Sequence, residues 1–172
     1  MCNVVFYESN KDDENILDYE GLLPNQVRGF GLGVMNGRAN YYSEIRGLNY
    51  KNEGRVFGPH GKGLIVANSL KDYSQKDSLG LTEDVITANL KVRATGFKPY
   101  IAPALSSGAL SILETLRGNY NYSTVFIDGI YWGIRNRLIN GSVGIERSDL
   151  NDELMIRIKA SYDELRRQYE KN

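Results

Sequence analysis

From Asn151 onward the chain carries an apolar pattern of helical period that one surface must cover: Leu154, Ile158, Tyr162, Leu165 and Tyr169 recur at steps of three and four. Asn151 stands at the N-cap, Leu150 and Met155 at staple positions, and Arg166, Arg167 and Lys171 toward the negative end of the helix dipole. A helix with one such face is stable only when docked on another layer, so the preceding residues must build a sheet or a helix pair to receive it.

Those residues break into short segments separated by glycines. Val4-Val5-Phe6-Tyr7 reads as a buried strand that hands over to a helix capped by Asn10, which ends at Gly21-Leu22-Leu23-Pro24-Asn25. After the glycine-dense Gly29-Phe30-Gly31-Leu32-Gly33, Arg38 to Ile45 predicts a short helix. Glu53 to Gly58 and Gly63 to Ala67 predict two strands around a Gly58-Pro59-His60-Gly61 turn, which puts His60 on a loop tip. The polar stretch from Lys71 to Leu81 predicts a loop, and Thr82-Glu83-Asp84 caps a helix running to about Thr95. Pro103 to Arg117 predicts another helix, Ser123 to Gly133 a strand and Val143 to Glu146 a further strand, paired antiparallel. The fold class expected is α+β (mixed α/β): a twisted, largely antiparallel sheet packed with long helices, in one domain over residues 1–172.

Composition removes several function classes. Lys plus Arg and Asp plus Glu both number 21, so there is no basic excess to suit nucleic acid or an anionic membrane. Apolar residues make up 41% of the chain, enough for a core, but no run approaches the roughly 20 residues of a membrane span, and a cytoplasmic location is expected. Cys2 is the sole cysteine and His60 the sole histidine, which excludes an internal disulfide and leaves no spacing for a metal site.

Few residues carry chemistry. The glycine stretch does not complete G-x-G-x-x-G, because the sixth positions are Val34 and Asn36. Cys2 would be an N-terminal nucleophile after Met1 removal only with an oxyanion and base set that no residue pattern supplies; otherwise it leads into the first strand. His60, between Gly58 and Gly61, is placed to meet a ligand and titrates near neutrality, although a loop histidine is more often a plain turn residue. Arg38 offers a guanidinium fork to a carboxylate, although most arginines are merely solvated.

The order of these features points further. A strand ends in Ser9-Asn10, a Gly21-Leu22-Leu23-Pro24 turn precedes Gly29-Phe30-Gly31, and Gly58-Pro59-His60-Gly61-Lys62 is followed by Ser69. Ser123-Thr124-Val125, Asp128-Gly129-Ile130-Tyr131 and Leu150-Asn151-Asp152-Glu153 close the series. In order and spacing this resembles the C-terminal, substrate-binding half of the lactate and malate dehydrogenase family, L-2-hydroxyisocaproate dehydrogenases included. The resemblance implies His60 as the catalytic acid/base, Arg38 as the grip on the substrate carboxylate and Asn10 as a substrate-binding residue near the nicotinamide. It implies a 2-oxo or 2-hydroxy acid as ligand, NAD as the family's cofactor and a homo-oligomer as the assembly.

The departures carry as much information. The family's Leu-Asp-x-x-Arg falls on Val34-Met35-Asn36-Gly37-Arg38, so Met35 stands where the carboxylate belongs; a shift by one puts Asn36 there and loses the arginine. Neither can orient and charge-stabilise His60. The family's nucleotide-binding half, about 140 residues and within the size of one domain, is expected to be absent, so the chain alone is expected to bind no nicotinamide cofactor and Val4 to Tyr7 to be an orphan strand edge. Two readings stay open: the substrate half of a 2-hydroxy-acid dehydrogenase whose nucleotide-binding half comes from a separate chain, not competent for turnover alone, and a non-catalytic dehydrogenase-derived binding or assembly module.

Overall fold

A computed structural model describes residues 23–96 and 102–170, with side chains from 108 onward in the second of these stretches and throughout the first except at Asn25. The strand at Val4–Tyr7, the helix after it, Cys2 and Asn10 lie outside the described residues. A single 3-10 turn at Pro24–Gln26 leads into helix α1, Gly31–Ile45. The glycine run and Arg38 therefore belong to one helix, which starts seven residues before the predicted Arg38 boundary. Glycine lowers helix propensity by about 1 kcal/mol per residue. Burial on one face outweighs it here: Leu32, Met35, Ala39 and Ser43 are all buried, and α1 packs on its neighbours with that face.

After a short helix α2 (Tyr50–Glu53), strands β1 (Arg55–Phe57) and β2 (Ile65–Ala67) pair antiparallel with Val56 opposite Val66, as the sequence predicts. The hairpin is stitched to the larger sheet where the Gly58 N–H donates to the Gly133 carbonyl at 2.8 Å. That approach needs glycine at 133, since a Cβ there would stand 2.2 Å from the Gly58 oxygen.

Helix α3 runs Gln75–Ala94, so the predicted loop at Lys71–Leu81 is mostly helix and the predicted start at Thr82 lies two turns inside it. The polar residues that disguise it have a tertiary use. Ser78 Oγ donates to the Val66 carbonyl at 2.6 Å and the Val66 N–H donates to Thr82 Oγ1 at 3.0 Å, so α3 satisfies the open edge of β2. The true cap is Ser74, whose hydroxyl accepts from the Asp77 N–H at 3.3 Å.

Helix α4 spans Ala102–Leu116, within one residue of its predicted bounds at both ends. The predicted strand Ser123–Gly133 is instead a hairpin of β3 (Asn121–Ile127) and β4 (Ile130–Ile139). Asp128 and Gly129 have φ of 45° and 89°, the two positive values that a two-residue turn between antiparallel strands demands. A second such turn at Asn140-Gly141 adds β5 (Ser142–Ile145), giving the order β3-β4-β5.

Among the described residues two apolar clusters hold the layers. Met35, Leu32, Val56, Val66, Leu81 and Val85 pack between α1, α3 and the β1–β2 hairpin. The other receives helix α5, Asp152–Tyr169: Leu154 is completely buried against a cluster formed with Phe57, Ile65, Ile130 and Trp132, with Leu150, Ile158, Tyr162 and Leu165 along its flank. Asn151 caps α5 as expected, accepting from the Glu153 N–H at 2.9 Å. Met155 and Tyr169, both expected on the apolar face, are each 48% exposed.

Candidate functional site

The loop that carries His60 is held from both sides. Gly58 is tied to β4, and the Gly63 carbonyl accepts a 2.6 Å hydrogen bond from Ser161 Oγ on α5. Gly58, Gly61 and Gly63 have φ of 94°, 111° and 90°, so the loop turns through conformations that side chains disfavour. It lays the imidazole over the first turn of α1, where a Cβ at Gly31 would lie 3.2 Å from His60 Cδ2. His60 remains exposed at the surface on its other side.

Helix periodicity then organises the site. Gly31, Met35 and Arg38 stand at i, i+4 and i+7, one above another on a single face of α1. His60 sits on the first of these. Arg38, half-buried, donates from Nη1 to the Val85 carbonyl of α3 at 3.3 Å. Burial pulls its pKa down and the nearby Tyr42 pushes it up, but a guanidinium stays charged at any physiological pH. Between the two, Met35 is 1% exposed and packed in the core. Met35, which the resemblance sets where the family has its orienting carboxylate, is thus a thioether among Leu32, Leu81 and Val85.

Asn36, the alternative at that position, is committed elsewhere: its Oδ1 accepts from the Tyr50 hydroxyl at 2.9 Å. Tyr50 is itself fully buried, which pushes its phenol well above the ordinary tyrosine value.

Burial lowers the His60 pKa below its ordinary 6.5, and the Arg38 charge lowers it further, while a backbone hydrogen bond works in the opposite direction. The imidazole is neutral at pH 7. Together these groups offer a fixed cation and a neutral donor/acceptor ring on one helix face. They are matched to holding an anion with a polar atom beside it; they are poorly matched to delivering a proton.

The structure also places polar groups that sequence reading missed. Glu146 receives both nitrogens of Arg55, Nε at 2.6 Å and Nη2 at 3.1 Å, and a further ion pair from Arg135. Arg28, 4% exposed, is bound by Ser123 Oγ at 3.0 Å and by Asn136 Oδ1. Arg55 lies 91 residues from Glu146, and Arg28 lies 95 and 108 residues from Ser123 and Asn136, so no local pattern announces these contacts. Ser69 forms a turn, accepting from the N–H groups of Lys71 and Asp72 and donating to Glu53. The glycines from Gly31 onward are helical, so they do not form the strand-to-helix turn that cradles a dinucleotide. Among the described residues no three His, Cys, Asp or Glu side chains gather in a metal-binding group, and no helix is long and apolar enough to cross a membrane.

No protein-family model matches the chain, and no curated protein matches it in sequence. Solved structures do. The malate dehydrogenase of Archaeoglobus fulgidus, determined in complex with NADH, superposes with a TM-score of 0.71 at 20% identity, over 90% of this chain and 55% of that one. The L-lactate dehydrogenase of Clostridium thermocellum gives 0.66 at 18% identity, over 90% and 59%. The malate dehydrogenase of Plasmodium falciparum gives 0.66 at 11%, over 90% and 58%. The chain thus spans little more than half the length of the structures it matches, and its α+β fold is that of the C-terminal domain of malate and lactate dehydrogenases.

Proposed function

We propose that this dehydrogenase-derived domain holds a small 2-oxo or 2-hydroxy carboxylate between Arg38 and His60 and does not carry out NAD-dependent turnover alone. The carrying observation is the single face of α1 on which His60 rests against Gly31 and Arg38 stands two turns away, with buried Met35 between them. Arg38 would take the carboxylate in a two-pronged hydrogen bond, and the neutral imidazole would meet the oxygen on the adjacent carbon. Reduction of a 2-oxo acid needs a proton from an imidazolium. Burial and Arg38 both disfavour that form, and a thioether cannot stabilise it. In a dehydrogenase the reduced nicotinamide cofactor would supply the hydride for a 2-oxo acid, but the described residues do not fit it, because the glycine run from Gly31 is helical and forms no phosphate-cradling turn. A hydride donor would have to be held outside the described residues.

On this reading the protein is a cytoplasmic homo-oligomer with no nucleic-acid or membrane partner. The assembly-module alternative draws support from a different feature. Leu110, Leu113 and Leu116 on α4, and Tyr41 and Ile45 on α1, are all 40–69% exposed, more than a lone domain needs. The two readings separate in one titration. Pyruvate, malate or oxaloacetate added to labelled protein should move the His60 ring resonances saturably, and Arg38→Gln should abolish the effect. No movement in the unmodified chain would defeat the acid-binding reading and leave the assembly module.

A further inference from the structure

Asn-Gly occurs twice in the chain, and the fold treats the two pairs in opposite ways. Glycine has no Cβ to shield its backbone nitrogen, so that nitrogen can close on the side-chain amide of the asparagine before it. Asn36-Gly37 lies inside α1. There the Gly37 N–H falls within the helical hydrogen-bond ladder, the Asn36 carbonyl accepts from Asn40 Nδ2 at 3.0 Å, and Asn36 Oδ1 accepts from the Tyr50 hydroxyl at 2.9 Å. Amide and nitrogen are both held.

Asn140-Gly141 forms the turn between β4 and β5, with φ of 51° and 79°. Both residues are exposed, and a Cβ placed on Gly141 would meet nothing within 4 Å. Among the described residues the Asn140 side chain makes no hydrogen bond and the Gly141 N–H has no backbone partner. The Asn140 amide therefore has room to swing onto that nitrogen once the turn flexes. Little opposes the flexing: β5 is the edge strand in the order β3-β4-β5, and its four residues, Ser142 to Ile145, are all exposed. Asp128-Gly129 makes a turn of the same kind, but an ionised carboxylate is a much weaker electrophile than an amide, so that turn is no rival.

We infer that Asn140 is a site of spontaneous deamidation, an intramolecular modification that needs only water. The Gly141 nitrogen bonds to Asn140 Cγ and gives up its proton, the side-chain nitrogen leaves as ammonia, and a succinimide ring closes. Water then opens the ring. Addition at the former side-chain carbonyl leaves aspartate; addition at the backbone carbonyl leaves isoaspartate. Each event takes the formal net charge of +0 one unit negative. Aspartate keeps the length of the two-residue turn, whereas isoaspartate adds a methylene to the backbone there, which pulls Ser142 out of register with Ile139. The site is independent of the acid-binding reading given for His60.

The test incubates the full chain at neutral and at mildly alkaline pH and follows it by isoelectric focusing and by mass mapping of its peptides. The peptide holding Asn140 should gain the mass of an amide turned to an acid, divided between aspartate and isoaspartate. It should do so faster at the higher pH, and at least about tenfold faster than the peptide holding Asn36, because a hairpin tip opens far more often than the middle of a packed helix. In urea, where neither the turn nor α1 survives, the two pairs should react at comparable rates. Asn140→Gly, which puts a residue at ease with positive φ in the turn, should remove the acidic species. Reaction at Asn36 as fast as at Asn140 in the folded chain, the same disparity between them in urea, an acidic species undiminished in Asn140→Gly, or no reaction at Asn140 would overturn the assignment.

Discussion

Replacing Leu154 by alanine tests whether the C-terminal helix is part of the core or an attachment to it. The leucine has no exposed surface, and it lies in one cluster with Phe57, Ile65, Ile130 and Trp132. Truncation removes three carbons, about 2.4 kcal/mol at roughly 0.8 kcal/mol per buried methylene. The void adds to this, because a site walled by two sheets and a helix cannot collapse freely, and the observed range for such changes is about 2–5 kcal/mol. We expect about 3 kcal/mol, a drop in Tm of roughly 6–12 °C for a domain of this size. Ile156 on the same helix is 68% exposed and serves as the internal control. Its alanine variant should stay within about 0.5 kcal/mol of the unmodified protein. Urea unfolding followed by circular dichroism and by the fluorescence of Trp132, the only tryptophan, reads both. Trp132 is 3% exposed and its ring lies 5.3 Å from that of Tyr162 on α5, so it reports directly on the docked helix. Equal stabilities for the two variants, or a Leu154→Ala loss under 0.5 kcal/mol, would refute the argument that this face carries the domain.

Three further outcomes follow from named contacts. Asn151→Ala removes the side-chain acceptor for the Glu153 N–H and should lower stability by about 1 kcal/mol in the same urea assay. Glu146→Gln leaves Arg55 and Arg135, whose side chains are 16% and 29% exposed, without their shared counter-charge and should cost about 1–3 kcal/mol by thermal unfolding. His60 has a lower pKa folded than unfolded, so the unfolded chain takes up its proton first on acidification. Its contribution is complete above the unfolded value, near 6.5, and is lost as pH falls through the folded value. Arg38→Gln removes one of the two depressing causes, so the His60 pKa read by NMR should rise and the loss of Tm on acidification should shrink; an unchanged pKa would mean that the two groups do not sense each other.

What the sequence determined by itself was wherever a local signal had no competitor. The α5 helix, the β1–β2 hairpin around His60 and α4 are legible because cap, period and turn residues lie within a few positions of one another. The Asp128-Gly129 turn was equally local, yet the apolar residues on both sides of it read as one continuous strand. Elsewhere tertiary contact overrode the local signal. Glycines argued against the first turns of α1, and only the burial of Leu32 and Met35 shows why a helix forms there. Ser78 and Thr82 looked like loop residues because their hydroxyls serve the backbone of β2, a strand that no window around residue 78 includes. At the site, the resemblance read in the sequence set Met35, or Asn36 with a shift of one, where the family has its carboxylate, and carried the substrate arginine over to Arg38. That His60 rests on Gly31, that Arg38 lowers its pKa, and that Glu146 joins two arginines were decided by packing alone. Such contacts join residues far apart in the chain through surfaces that exist only after the layers close.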